Sequence, residues 1–538
     1  MPNKQNFIKG TLILVIANAI SKILGAVFKI PLTYILEEEG MAVFNTAFSV
    51  YVMILSFITS GMPLAISKMI AEQLALGHKG EARKIVTVST LLLAAAGILG
   101  TAVMFVGADF FAGAMKDLKA ANAIRFLSPA IFFVAVGTVF KSYYQGKVNM
   151  IPTAISQVVE AVVKLGAGYG LALFFANYAM ETTAAWSVFG VTIGEIVATG
   201  ILILLYLPDR RDLVRHKARN SSRQICNAVG AIAVPMMISS GIAGAMNIAD
   251  ITMIRSQLLH IRFTPETAER FLLQYSSHTT VFDNLLETMK ISIDGARWLY
   301  GAYSGYALTV FHLPVGIMAT LGVTVLPVIA GALALRQQSR VEYTAGLALK
   351  ITMLAALPCA AVLFLFAEPV LSLLFHNTAS APMLQMLAPC LVFVCVSQIL
   401  TAVLNASGMI MRPFVHGLIG MCVKLAGNLL LITRPELNIM GAVISANISY
   451  LIIMLLDAAA VRRKMGIHCH IFKILFKPLL SAGAMSGIMI LLYRPLCVMF
   501  SGEIPALLAT FFVGGVTYCM MLFMTSAVTR EELKILHA

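Results

Sequence analysis

From end to end the chain is a succession of apolar runs, each long enough to cross a bilayer, joined by short polar connections. A hydrocarbon core about 30 Å thick asks about 20 consecutive apolar residues of a helix. Inside that core no water reaches the backbone, so only helices or closed barrels keep every amide and carbonyl satisfied. Runs of this length are helices, and we count fourteen, from 7–35 at one end to 505–528 at the other. Hydrophobic residues make up 59% of the 538 and charged residues 12%, far from the globular average. The expected fold class is an all-α, polytopic membrane protein of about fourteen transmembrane helices. The first run follows Lys4 and Lys9, as a signal peptide would, but it is too long, carries embedded lysines and offers no small-residue cleavage site. It reads as an uncleaved span.

The formal net charge of +14 is a topology signal. Most of the lysines and arginines fall in the connections on the N-terminal side of the membrane. The positive-inside rule then places both termini in the cytoplasm, and no nucleic-acid partner is expected. All eight cysteines lie at or after Cys226, without a CxxC pair, and read as apolar packing residues. His468-Cys469-His470 lacks a fourth ligand at the usual spacing, so neither metal nor cofactor is expected. There is no Walker loop, GxSxG or HExxH. The acidic run Glu37-Glu38-Glu39, followed by Gly40, reads as an external turn. An enzyme is not expected.

The sequence repeats itself. Leu127-Ser128-Pro129 matches Leu387-Ala388-Pro389, Phe133-Val134 matches Phe393-Val394, and Val163-Lys164-Leu165 matches Val423-Lys424-Leu425, all 260 residues apart. Pro63 and Pro327 correspond at 264. A duplicated unit with an even number of spans enters the membrane twice in the same orientation, as in parallel-repeat transporters. The expected organisation is an N-lobe over 1–207, a basic cytoplasmic linker over 208–225, a C-lobe over 226–462 and a C-terminal helix pair over 463–538. The linker carries Arg210, Arg211, Arg215, Lys217, Arg219 and Arg223, a charge suited to anionic lipid head groups. The long external segment, 257–299, has spaced apolar residues and mixed charge, the pattern of an amphipathic helix on the outer surface.

Charges inside the spans are the candidate functional groups, because each costs about 2.5–3.5 kcal/mol near a bilayer centre on insertion scales. Lys22 and Lys29 stand seven residues apart on span 1, nearly on one face and about 10 Å apart, a spacing suited to an extended anion such as a pyrophosphate. Lys68, past Pro63 in GMPLAISK, adds a third cation if the chain folds back toward a cavity; snorkelling to head groups is the alternative for all three. Glu160 and Lys164 have the order and spacing of an intrahelical pair. Lys424, the repeat equivalent of Lys164, has Gly420 where such a partner would stand, which makes it a ligand candidate unless an acid on another span, such as Glu195, meets it. Asp250, near Asn247 and Arg255, suits either ion coupling or pairing with a basic residue.

The strings SKILGAVFKIPL on span 1, GMPLAISK ending span 2 and GAYSGYALTVFHLP on span 8, with the 6+6+2 arrangement, carry a resemblance over nearly the whole chain. It resembles the stage V sporulation protein B group. That group belongs with the MurJ-type lipid II flippases in the multidrug/oligosaccharidyl-lipid/polysaccharide (MOP) exporter superfamily. The resemblance implies a flippase of a polyprenyl-pyrophosphate-linked glycan in a bacterial plasma membrane, with that anionic lipid, membrane lipids and cell-wall synthesis enzymes as partners. Lys22 falls on the basic position of the family's Ser-Arg/Lys-x-Leu-Gly string, with Lys29 and Lys68 near the second and third; in the family these line a cationic cavity. On span 8 this chain has Ala307, Phe311 and His312 where the family typically carries an arginine and a glutamate, which leaves Asp250, Arg255 and Lys424 as substitutes. The other readings are a cation-coupled drug antiporter of the same superfamily, an exporter of other lipid-linked repeat units, and a spore-envelope scaffold.

Overall fold

The computed structural model describes residues 4–147, 149–214, 221–275, 282, 285–334, 336–409, 411–465, 471–500, 502–525 and 527. Among these there is no strand. Among the described residues eleven helices are long and apolar enough to cross a membrane. Helix also covers the expected spans 7–35, 226–254 and, with a π-helical start at Ala302–Ala307, 300–333. The chain forms two compact units, 1–260 with 290–305, and 261–289 with 306–538.

The first unit holds α1 (Lys4–Thr59), α2 (Met62–Ala75), α3 (Lys79–Val106), α4 (Ala108–Ala114), α5 (Ala121–Gly146), α6 (Ile151–Phe174), α7 (Met180–Val214), α8 (Ser222–Leu259) and, from the returning segment, α11 (Ile293–Gly301). α1 is two helices, broken at Glu37, whose φ of 49° lies in the left-handed region that side chains resist. The acidic turn expected there is this break. At its other end Gly61 takes the left-handed conformation (φ 79°), and Pro63 then sits in the first turn of α2, where a missing N–H costs nothing. Pro129 lies inside α5 and leaves the Arg125 carbonyl without its helical donor. The Ser128 hydroxyl donates to that carbonyl at 2.8 Å. Thr192 and Thr199, two turns apart on α7, donate across to the carbonyls of Phe126 and Phe133 on α5, at 3.0 and 2.9 Å. Gly190 packs directly on Gly168 of α6, and a Cβ there would enter the Gly168 backbone. Small residues and hydroxyls are how helices associate where lipid offers no hydrophobic contrast.

The expected lobe boundaries follow the repeat, whereas the compact units follow packing. By packing, α8 belongs with α1, α2 and α3.

The second unit contains α9 (Pro265–Gln274), α10 (Leu285–Thr288), α12 (Leu308–Ala334), α13 (Gln338–Leu365), α14 (Ala367–Phe375), α15 (Ala381–Ala406), α16 (Met411–Leu431), α17 (Met440–Met465), α18 (Ile471–Phe500) and α19 (Glu503–Met524). The duplication is visible in where helices begin. α5 and α15 start at 121 and 381, α6 and α16 at 151 and 411, α7 and α17 at 180 and 440, each pair 260 apart. α18 packs on α19 and on α13, and α19 reaches α13 through Tyr518, which donates to the Leu354 carbonyl at 2.8 Å.

The segment expected to be external, 257–299, is more folded than a single surface helix. α9 is amphipathic, with Ala268 and Phe271 buried, but its apolar face is covered by the segment's own aromatics. Phe263, Tyr275 and Phe282 surround Phe271 at centroid distances of 5.2, 4.8 and 5.0 Å, and the Phe263 amide closes the loop onto the Met289 carbonyl. Burial pushes the Tyr275 phenol well above its ordinary range. The remainder, α11, is buried in the first unit from Gly295 to Gly301.

Candidate functional site: charged centres within the helices

Among the described residues three buried or half-buried polar centres are built into the helices. The first lies where α1, α5, α6 and α7 meet. Lys141 on α5 stands 3.5 Å from Glu160 on α6, both half-buried. Glu195 on α7 is buried with Glu160, Lys141 and Lys164 as its charged neighbours, and the buried Tyr51 of α1 faces both acids. Gly194 makes this possible, since its bare Cα packs against the 160–164 turn of α6 and carries Glu195 alongside. The Lys164 ammonium lies 5.6 Å from the centroid of the Phe48 ring. Glu160 therefore pairs across helices with Lys141, and the expected intrahelical Glu160–Lys164 pair gives way to it. Two acids and two lysines leave the centre formally balanced.

The second centre joins α1, α8, α11 and the turn after α4. Asp117 is fully buried and accepts from Arg255 Nη1 at 3.0 Å and Arg297 Nε at 3.1 Å. Nη2 of Arg255 donates to the Thr46 hydroxyl at 2.8 Å, Nη1 also reaches the Met115 carbonyl at 3.1 Å, and the group lies 4.4 Å from the Tyr300 ring. Arg297 further holds Asp294 at 2.6 Å and Glu39 at 3.3 Å, and Glu39 takes Lys119 at 2.5 Å. Arg255, 2% exposed, is thus an internal tie between helices. That arrangement replaces the expectation that it meets a substrate anion, because both terminal nitrogens are committed to Asp117, Thr46 and nearby carbonyls, and Nε, although without a partner, is buried.

The third centre is in the second unit. Asp457 on α17, fully buried, accepts from His416 Nδ1 on α16 at 2.7 Å and from Ser397 and Thr401 on α15 at 3.2 and 3.1 Å.

The remaining candidates are dispersed. Lys22 and Lys29 are helical in α1, and their side chains lie outside the described residues. Lys68 is exposed on α2, Lys424 is half-buried on α16, and Asp250 is buried on α8 with a polar partner. His468-Cys469-His470 and Arg215, Lys217 and Arg219 of the linker lie outside the described residues. Sequence reasoning passed over Lys141, Asp117, Arg297, His416 and Asp457. For Lys141, His416 and Asp457 the signal was present, since each is an ionisable group within an apolar run. Among the described residues no three His, Cys, Asp or Glu side chains could hold a metal ion together.

Long apolar helices whose starts repeat at 260 residues, with charges held in pairs within them, make this a multi-pass helical membrane protein. Residues 7–258 match the family model "Polysaccharide biosynthesis protein", and residues 299–522 match "Lipid II flippase MurJ". Stage V sporulation protein B of Bacillus subtilis (strain 168) is 26% identical over 467 residues, 86% of this chain and 85% of that protein. Lipid II flippase MurJ of the same organism is 28% identical over 216 residues, 38% of this chain and 39% of that protein. In fold, the inward-facing conformation of a multidrug resistance MATE family transporter of the MOP superfamily superposes with a TM-score of 0.65 at 13% identity, covering 85% of this chain and 98% of that one. The chain is thus similar to stage V sporulation protein B over most of its length and to MurJ over part of it, and it shares the fold of a MATE family transporter.

Proposed function

We propose that this protein flips a polyprenyl-pyrophosphate-linked glycan precursor, lipid II or a close relative, across a bacterial plasma membrane by alternating access. The observation that carries this reading is the match of 299–522 to the lipid II flippase family together with likeness to stage V sporulation protein B over most of the chain. The physical need is plain. A pyrophosphate with a sugar-peptide head cannot cross hydrocarbon unaided, because its polar groups would go unsatisfied there. In this reading Lys22 and Lys29 on one face of α1 meet the pyrophosphate, with Lys68 and Lys424 as further cations, and the tail stays in lipid. No covalent chemistry is required of the protein. The bias of basic residues supports cytoplasmic termini and an external 257–299 segment, where cell-wall synthesis enzymes would consume the cargo.

The test is rescue of a flippase-depleted bacterium, with accumulated labelled lipid II as the readout. Restored growth with lipid II drawn down is expected; unchanged accumulation at normal membrane levels of the protein refutes the proposal. The MATE-like fold favours one competitor, a cation-coupled drug antiporter. That reading predicts drug resistance on expression and no rescue.

A further inference from the structure

We propose that His416 and Asp457 form a proton-binding site in the second unit, through which transport is coupled to a proton gradient. The inference rests on the transporter reading for its use, though not for its existence. Asp457 is the one carboxylate on α15, α16 and α17; the charged residues of these helices are otherwise Arg412 and Lys424 on α16 and Arg462, Arg463 and Lys464 on α17. Arg412 is one turn and Lys424 two turns from His416 along α16. The groups that face the pair are Ser397 and Thr401 of α15.

Every donor at the site converges on the carboxylate. The imidazole gives its Nδ1 proton to one oxygen, and the two hydroxyls give theirs to the other. With a neutral imidazole the centre carries one net negative charge in a fully buried position. A proton taken up at Nε2 converts it into a neutral imidazolium–carboxylate pair without displacing a heavy atom. An isolated buried charge costs more than a hydrogen-bonded pair, so the centre has two well-defined charge states. Imidazole is also the side chain whose ordinary titration spans about pH 5 to 8. Asp457 has no accessible surface, while His416 keeps 15% of its side chain accessible. Exchange therefore runs through the ring. A metal cation would have to displace the Nδ1 proton or the hydroxyl protons already seated on both oxygens, which is why the proton is the ligand we assign.

The position in the repeat supports a functional use. Thr401 stands 260 residues after Lys141, and Gly420 stands 260 after Glu160. In the first unit that pair of positions holds a lysine–glutamate ion pair, whose charges are permanent partners. In the second unit the same step of the helix pair holds a hydroxyl and a glycine, and the charge has moved to a titratable His–Asp pair nearby. The duplication has kept a polar centre in both halves and made one of them protonatable.

The experiment is a pH titration of the full chain, labelled with ¹⁵N-histidine, in lipid nanodiscs. The ring signal lost in His416→Asn, a change that keeps an amide donor for Asp457, identifies the site. That signal should pass from neutral imidazole to imidazolium as the pH is lowered across the titrated range. Asp457→Asn should weaken proton binding about tenfold or more, because the facing carboxylate is gone. A ring that keeps one protonation state across the range, an Asp457→Asn protein with an unchanged midpoint, or displacement of the proton by sodium chloride overturns the proposal. In proteoliposomes, labelled lipid II movement driven by an imposed pH gradient should fall in His416→Asn to the level seen without a gradient. If the titration appears but lipid II never moves in the wild-type protein, the proposed cargo is wrong and the proton site stands. If lipid II moves and His416 does not titrate, the reverse holds.

Discussion

Replacing Asp117 with asparagine should be among the most damaging single changes in the first unit, and the structure says through which partner. The carboxylate is fully buried and holds two guanidinium groups, at 3.0 and 3.1 Å. Each such charged hydrogen bond is worth about 1.5–3 kcal/mol, and breaking one side of a buried pair costs about 3–5 kcal/mol. The two arginines are not equally exposed to the loss. Arg297 retains Asp294 at 2.6 Å and Glu39 at 3.3 Å. Arg255 retains only uncharged acceptors, the Met115 and Ala42 carbonyls and the Thr46 hydroxyl, while 2% exposed. The penalty of about 3–5 kcal/mol is therefore chiefly that of leaving Arg255 unpaired. Adding Arg255→Met to Asp117→Asn should recover half or more of it, since the buried charge goes with it. Adding Arg297→Gln should recover little. The assay is thermal unfolding of detergent-solubilised protein, arranged as two double-mutant cycles. Equal recovery by both second changes, or an Asp117→Asn protein as stable as wild type, refutes the argument.

In the rescue assay, Lys22→Ala and Lys29→Ala should each abolish lipid II clearance at unchanged membrane levels, whereas Lys22→Arg should retain it because charge and donors persist; full rescue by Lys22→Ala removes the proposed anion site. At the first charged centre, Lys141→Met and Glu160→Gln should each lower thermal stability. The double change should restore part of the loss, by about 1 kcal/mol or more, and simple additivity would mean that the 3.5 Å contact carries nothing. Topology is tested by cysteine labelling with an impermeant reagent in a background free of native cysteines. Tyr275 is 1% exposed and a poor position for it, but Leu273 on α9 is 75% exposed and should label in intact cells. Arg223, exposed at the start of α8, should label only after permeabilisation, and the opposite pattern inverts the proposed orientation.

What the sequence determined by itself is the periodic and local part of the molecule. Apolar runs of spanning length can only be helices in a bilayer, so the all-α class follows from composition and run length. The duplication was legible from three short strings, and the three helix pairs that begin 260 residues apart, with Pro129 and Pro389 inside α5 and α15, repeat that offset. Local chemistry also marked the ends, with the Glu37 break before Gly40 and the Gly61-Met62-Pro63 start of α2. Partnerships among charges belonged to the tertiary structure. A sequence offers only neighbours three and four residues away, which is why Glu160 was matched with Lys164. Packing α5 on α6 instead brings Lys141 to Glu160 from 19 residues away. His416 meets Asp457 across 41 residues, and Arg297 meets Asp117 across 180. A buried charge must find an opposite charge or a donor wherever the packed helices put one, and that position is set by which faces touch, a property of the assembled bundle that no single helix encodes.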